Sequence, residues 1–165
     1  MSAPLRVGFV FAALIAAVAC ASSDAIPVST NFDPLYAFPA RATYAWDDAA
    51  NTFPNSPDID RKEMDPLLKD VANEAFAAHG YRVTPAPADY RLSYQFSVVS
   101  RRGVESVAVG SLSLLLTETS SGRRVWTGFG QAEVFVGLEP EERRARLHEA
   151  MERMLQNFPP NQRPS

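Results

Sequence analysis

The sequence predicts an α+β fold, a two-layer sandwich in which an antiparallel sheet carries two helices packed on one face. Three observations predict it. Tyr90, Leu92, Tyr94, Phe96 and Val98 alternate with Arg91, Ser93, Gln95 and Ser97, the pattern of a strand with one covered and one wet face. Leu67, Leu68, Val71, Ala72, Ala75 and Phe76 recur at helical spacing, as do Leu147, Ala150, Met151, Met154, Leu155 and Phe158. Three extended segments between Tyr90 and Val136 follow one another through short turns, the order of an antiparallel meander.

The elements follow in order. Val28 to Phe32 alternates Val28, Thr30 and Phe32 with Ser29 and Asn31, a short strand that Asp33-Pro34 breaks. Arg41 to Trp46, rich in Thr, Tyr and Trp, is a second strand. Asp47 to Ile59 holds Pro54 and Pro57 and only Phe53 as a large apolar residue before its end, which makes it a surface loop. Asp65-Pro66 suits an N-cap followed by the first helical position, and Gly80 suits the helix end. Tyr81 to Val83 is a short extended piece, and Tyr90 to Val98 is the clearest strand. Arg101-Arg102-Gly103 turns the chain into Val107 to Thr117, and Ser120-Ser121-Gly122 turns it again into Arg123 to Val136. A terminal helix runs from Pro140 to about Phe158. Glu141 and Glu142 sit favourably in its first turn, and Glu142–Arg146 and Glu149–Arg153 are spaced for ion pairs.

At 165 residues, 46% hydrophobic, 21% charged and with a net charge of −3, the chain is neither disordered nor a strongly basic nucleic-acid binder. Its apolar residues are unevenly placed: 15 of the first 19 are hydrophobic. Met1 to Arg6 is weakly positive and Val7 to Val18 is an uncharged, mostly apolar run. That run is too short for a spanning helix, which needs about 20 residues, and has the length of a signal-peptide core. It ends in Ala16-Ala17-Val18-Ala19, and the lone cysteine follows at once as Cys20.

Ala17-Val18-Ala19-Cys20 resembles the bacterial lipoprotein box, in which the cysteine thiol receives a diacylglycerol and the chain is cut just before it. Ala17 stands where Leu is commonest. Ordinary secretion is the rival reading, because Ala17-Val18-Ala19 also fits a small-x-small cleavage site and leaves a free thiol. The organisation expected is therefore a removed signal peptide over 1–19, a lipidated tether over 20–26, one domain over 27–160 and a disordered tail over 161–165. Ala21 rather than Asp after the cysteine resembles the outer-membrane sorting pattern. The expected address is the bacterial envelope, lipid-anchored at the outer membrane and facing the periplasm.

Templates for chemistry fail. The only histidines, His79 and His148, fall at the end of and within predicted helices, and no G-x-S-x-G elbow is present. Asp58-Ile59-Asp60 begins like a calcium loop, but Lys62 takes a ligand position and no glycine stands at the sixth. Gly128-Phe129-Gly130 lies in a strand, where the glycines make a bulge or leave room for a ring such as Trp126. Asp47-Asp48 is a carboxylate pair in a polar loop. No catalytic residue, metal site or cofactor is expected.

Four arginines are the remaining candidates. Arg101 and Arg102 at one turn and Arg123 and Arg124 at the start of the last strand are expected at the same sheet end. Together they would form a cationic patch for anionic lipid or cell-wall polymer. A solvated, aggregation-resistant hairpin edge is the plainer reading.

Further landmarks carry a resemblance: Tyr44-Ala45-Trp46, Asp65-Pro66-Leu67-Leu68, Gly80-Tyr81, Ala88-Asp89-Tyr90, Val125-Trp126-Thr127-Gly128 and Phe158-Pro159-Pro160. In this order, after a lipobox, they resemble the domain-of-unknown-function 4136 family of bacterial envelope lipoproteins, from about Ile26 to Pro160. The resemblance implies an α+β lipoprotein domain with no established activity and no known catalytic residues. Val99 to Ser106 departs from the family's pattern as a short arginine-rich loop. The leading expectation is a non-catalytic binding or structural module with the membrane and an envelope or cell-wall partner as its contacts. The alternative is a lipid- or small-molecule-binding lipoprotein whose pocket lies between sheet and helices, floored by Tyr90, Tyr94 and Phe96. An enzyme would need His79 or His148 near a carboxylate and a hydroxyl in one cleft.

Overall fold

The structure is a computed structural model that describes residues 26–55, 59–101, 107–134 and 138–160. Its six strands are β1 (Val28–Phe32), β2 (Ala42–Trp46), β3 (Tyr81–Val83), β4 (Tyr90–Arg101), β5 (Val107–Glu118) and β6 (Arg124–Val134). Two helices complete it, α1 (Arg61–Ala78) between β2 and β3, and α2 (Pro140–Leu155) after β6. The strands form one sheet in the order β1-β6-β5-β4-β2-β3. The predicted signal segment, Cys20, Asp58, Arg102 and the terminal tail lie outside the described residues.

The meander β4-β5-β6 is antiparallel, as its short turns require, but the sheet as a whole is mixed. The wholly antiparallel sheet expected from the sequence is corrected at β2, which pairs parallel with both β3 and β4. The cause is α1. An 18-residue helix carries the chain from one end of β2 back to the other, so β3 must start where β2 started.

That helix also starts earlier than Asp65-Pro66 suggests. The Asp60 carboxylate accepts the Lys62 N–H at 2.8 Å and so caps the helix. Met64 is buried in the new first turn, and Pro66 falls inside the helix, on its exposed side. Gly80 ends it with a positive φ of 84°, and a β-carbon there would lie 2.5 Å from the Ala40 carbonyl oxygen.

Both helices pack on the same sheet face. Leu68, Val71 and Phe76 of α1 and Met151, Met154 and Leu155 of α2 meet Leu92, Tyr94, Leu114 and Leu116 of the sheet in one core. Phe158, past the end of α2 rather than inside it, lies against Phe76, Tyr81 and Trp126. Strand β6 lies close beneath α2 because it lacks side chains at two positions there. A β-carbon on Gly128 would sit 2.5 Å from the Trp126 ring, and one on Gly130 would sit 2.6 Å from the Met154 methyl. The space-for-Trp126 reading holds at Gly128, whereas Gly130 makes room for Met154. Across the helices Arg144 bonds Asp70 at 2.8 Å and Glu74 at 2.7 Å, which fixes α2 against α1.

Candidate functional site

Ile26, the first described residue, has its side chain buried in the core. Its carbonyl accepts from Arg153 Nη1 of α2 at 3.0 Å, while Arg153 Nε pairs with Glu149 at 3.2 Å. The next carbonyl, of Pro27, accepts the Gln131 N–H of β6 at 3.1 Å. The folded domain therefore grips its N-terminal segment from the first described residue, six positions after Cys20. Sequence reading placed Glu149 and Arg153 as an outer-face pair, which they are, but missed the bond to Ile26. Only the fold brings the chain's start beside α2.

Among the described residues, Arg101 does not join Arg123 and Arg124 in one patch. Arg101 pairs with Val107 at one end of the β4-β5 ladder, whereas Arg124 pairs with Thr117 at the other. Ten residues of strand separate these levels, roughly 30 Å. The expected coincidence fails because β5 traverses the sheet between them, so β6 starts at the end opposite the β4-β5 turn. Arg123 is engaged at 2.7 Å with Asp33.

The rings expected to floor a pocket are core. Tyr90, Tyr94 and Phe96 are 2%, 0% and 9% exposed. Each meets another ring of the protein: Tyr90 lies against Tyr36 and Tyr81, Tyr94 against Trp46, and Phe96 against Phe53. Trp126 is in the same core, and Trp46 is half-buried at its rim.

Two polar networks tie the sheet to its neighbours. At one end the Tyr36 hydroxyl lies 2.8 Å from the Tyr90 hydroxyl and donates to Glu118 at 2.9 Å; Ser121 donates to the same carboxylate at 2.5 Å. These donors hold the Glu118 carboxyl below the usual range. Nearby, the Thr43 N–H and hydroxyl both donate to Asp89 Oδ2, at 2.8 and 2.7 Å, and lower its pKa. Between β2 and α1, Asn73 Oδ1 accepts from the Tyr44 hydroxyl at 2.7 Å and the Trp46 indole N–H at 3.1 Å. Tyr94 donates to Asp65, which also pairs with Lys69 at 3.1 Å, and Lys69 reaches Asp48 at 2.7 Å. Burial pulls the Lys69 pKa down, but the two carboxylates outweigh it and the net shift is upward.

The remaining candidates have structural partners. His79 caps α1 with its ring edge-on to Phe158, and His148 lies 3.6 Å from Glu152 on α2. Asp47 pairs with Arg91 at 3.2 Å, and the loop after it is tied to β4 by the Thr52 N–H, which donates to the Tyr94 carbonyl. Among the described residues no cluster of three or more metal-ligating side chains occurs, and no helix is long and apolar enough to cross a membrane.

One face of the sheet bears no helix. Across it the register aligns Ser93, Leu115, Thr127 and Asn31 in one row and Gln95, Ser113, Phe129 and Ser29 in the next. A third row holds Ser97, Ser111 and Gln131, with Gln131 donating to the Ser111 hydroxyl at 3.0 Å. No position in these rows is ionisable. Leu115 at their centre is only 5% exposed.

The model of a domain of unknown function, DUF4136, matches residues 28–160. The chain belongs to that family. Compared with the curated proteins it matches none. Among solved structures it is similar to the PelC dodecamer from Paraburkholderia phytofirmans, at 19% identity and a TM-score of 0.50, over 79% of this chain and 97% of that one. It is also similar to a PDZ domain protein from Parabacteroides distasonis, at 11% identity and a TM-score of 0.54, over 84% of this chain and 36% of that one. Lipoprotein GNA1162 from Neisseria meningitidis matches at 16% identity and a TM-score of 0.47, over 70% of this chain and 99% of that one. At such identities the first two likenesses concern the fold alone.

Proposed function

We propose that this DUF4136 protein is a bacterial lipoprotein, anchored at the outer membrane through acyl chains on Cys20 and facing the periplasm. Its domain serves there as a non-catalytic binding or structural module toward an envelope protein or cell-wall partner. The observation that carries the reading is the position of the lone cysteine. It closes an apolar, small-residue-ended leader and stands six residues before the point where Arg153 and Gln131 grip the chain. An anchor of several acyl chains gains about 0.8 kcal/mol per buried CH₂, enough for stable attachment. Ala21 after the cysteine supports the outer-membrane assignment. The pocket alternative has no comparable support, since the three rings that would floor it are packed by other rings of the domain.

The test is mass spectrometry of the mature chain, with membrane fractionation, for the natural sequence and for Cys20→Ser. An N-terminal Cys20 carrying acyl mass in the outer-membrane fraction, lost in Cys20→Ser, is the expected result. An unmodified N-terminal Cys20 on a soluble periplasmic chain overturns the reading.

A further inference from the structure

The two outer surfaces of the sandwich differ sharply in charge. The helix side is laced with ion pairs, Arg144 to Asp70 and Glu74, and Arg153 to Glu149. The sheet side carries the Arg91–Asp47 pair at its margin, but its three central rows hold hydroxyls, amides, Leu115 and Phe129 and no ionisable group. Charge depletion around a few apolar residues with a polar surround is the composition of an interface core.

We propose that this open face is a self-association surface, covered by the same face of a second copy of this chain. The chemistry of the face selects that occupant. Ser, Thr, Asn and Gln each donate and accept, so a face built of them is self-complementary across a two-fold axis, whereas a field of one charge repels its own copy. With no charge in the rows, nothing there rewards a charged partner. The size also fits. With its margin at Arg91 and Asp47 included, the whole face of β1, β2, β4, β5 and β6 presents roughly 700 Å² of projected sheet, from 3.3 Å per residue and 4.8 Å between strands. A standard interface buries about 800 Å² per partner. Two sheets packed face to face sit about 10 Å apart, a spacing that short side chains such as Ser93, Ser111 and Ser113 allow around Leu115 and Phe129.

The experiment is sedimentation of the mature chain in density-matched detergent, at micromolar concentration. The natural chain is expected at twice its monomer mass. Ser113→Arg with Gln95→Arg places charge at two solvent-reaching positions of the face and is expected to shift the mass to one chain, with an unchanged circular dichroism spectrum. Ser113→Thr is expected to keep the dimer. Mixing Ser113→Arg chains with Ser113→Glu chains is expected to restore it, because opposite charges then meet across the axis. A monomeric natural chain overturns the proposal. So does an oligomer whose mass the arginines leave unchanged, or one lost in the arginine chains and not restored by the glutamate partner. Failure of acylation at Cys20 would leave all of these measurements interpretable.

Discussion

The Trp126 ring occupies the space that a side chain on Gly128 would need, two residues further along the same strand. With the Met154 sulfur 3.2 Å from the same point, the strand, the indole and α2 are wedged together where one backbone position is bare. Gly128→Ala should therefore destabilise the domain by about 1–3 kcal/mol through overpacking, despite the better intrinsic strand preference of alanine. Urea unfolding measures it, and a variant as stable as the parent would show that α2 moves aside at no cost.

Asn73 is a single acceptor for two aromatic donors. Asn73→Ala leaves the fully buried Tyr44 hydroxyl and the Trp46 indole N–H without that partner, at a cost of about 1–3 kcal/mol. In a Tyr44→Phe background one of the donors is already gone, so the same substitution should cost less. Equal costs in both backgrounds would mean that the shared carbonyl is not the cause.

All five tyrosines have pKa values pushed upward, in each case chiefly by burial. A raised folded pKa gives stability that is complete below the unfolded value near 10 and is lost as pH rises toward the folded one. Absorbance at 295 nm should therefore show no tyrosine ionising in the native protein near pH 10. The phenolate signal should rise in one step together with loss of near-ultraviolet circular dichroism. A separate ionisation before unfolding would contradict the buried networks at Tyr36, Tyr44 and Tyr94.

The Asp89 carboxyl is shifted the other way, because the Thr43 N–H and hydroxyl favour its charged form. Its contribution is present above the unfolded value near 3.9 and is lost as pH falls through the lowered folded value. Below about pH 4 the natural chain should lose urea resistance more steeply than Asp89→Asn, which has no proton to gain. Parallel losses in the two chains would remove Asp89 from the acid response.

Several parts of this architecture are written locally. The alternation from Tyr90 to Val98, the two apolar stripes and the glycines at Gly80 and Gly122 each mark their element without help from the rest of the chain. Strand direction is different. Nothing within Tyr81–Val83 states that it runs parallel to β2; that follows from the length of α1, which returns the chain to its starting end. Asp65-Pro66 misled because Pro66 tolerates a place inside the helix on its exposed side, while Asp60, six residues earlier, supplies the cap. The arginine patch failed on topology alone, since the single traverse of β5 between Arg101 and Arg124 puts them at opposite ends of the sheet. Arg153's bond to Ile26 joins residues 127 positions apart and has no local signature. The uncharged sheet face was visible as Ser93, Gln95 and Ser97, but only the register shows that the bare positions of four strands coincide.

Strands β2 and β6 run the same way, so the helices that follow them also run the same way, and both point their amino ends toward the end where the chain enters. Two positive dipole ends side by side disfavour each other, and the exposed Glu139, Glu141 and Glu142 there counter them. The remedy has an outward effect. If acyl chains on Cys20 hold this end at a bilayer, the acidic collar is what its headgroups meet, and anionic lipid repels it.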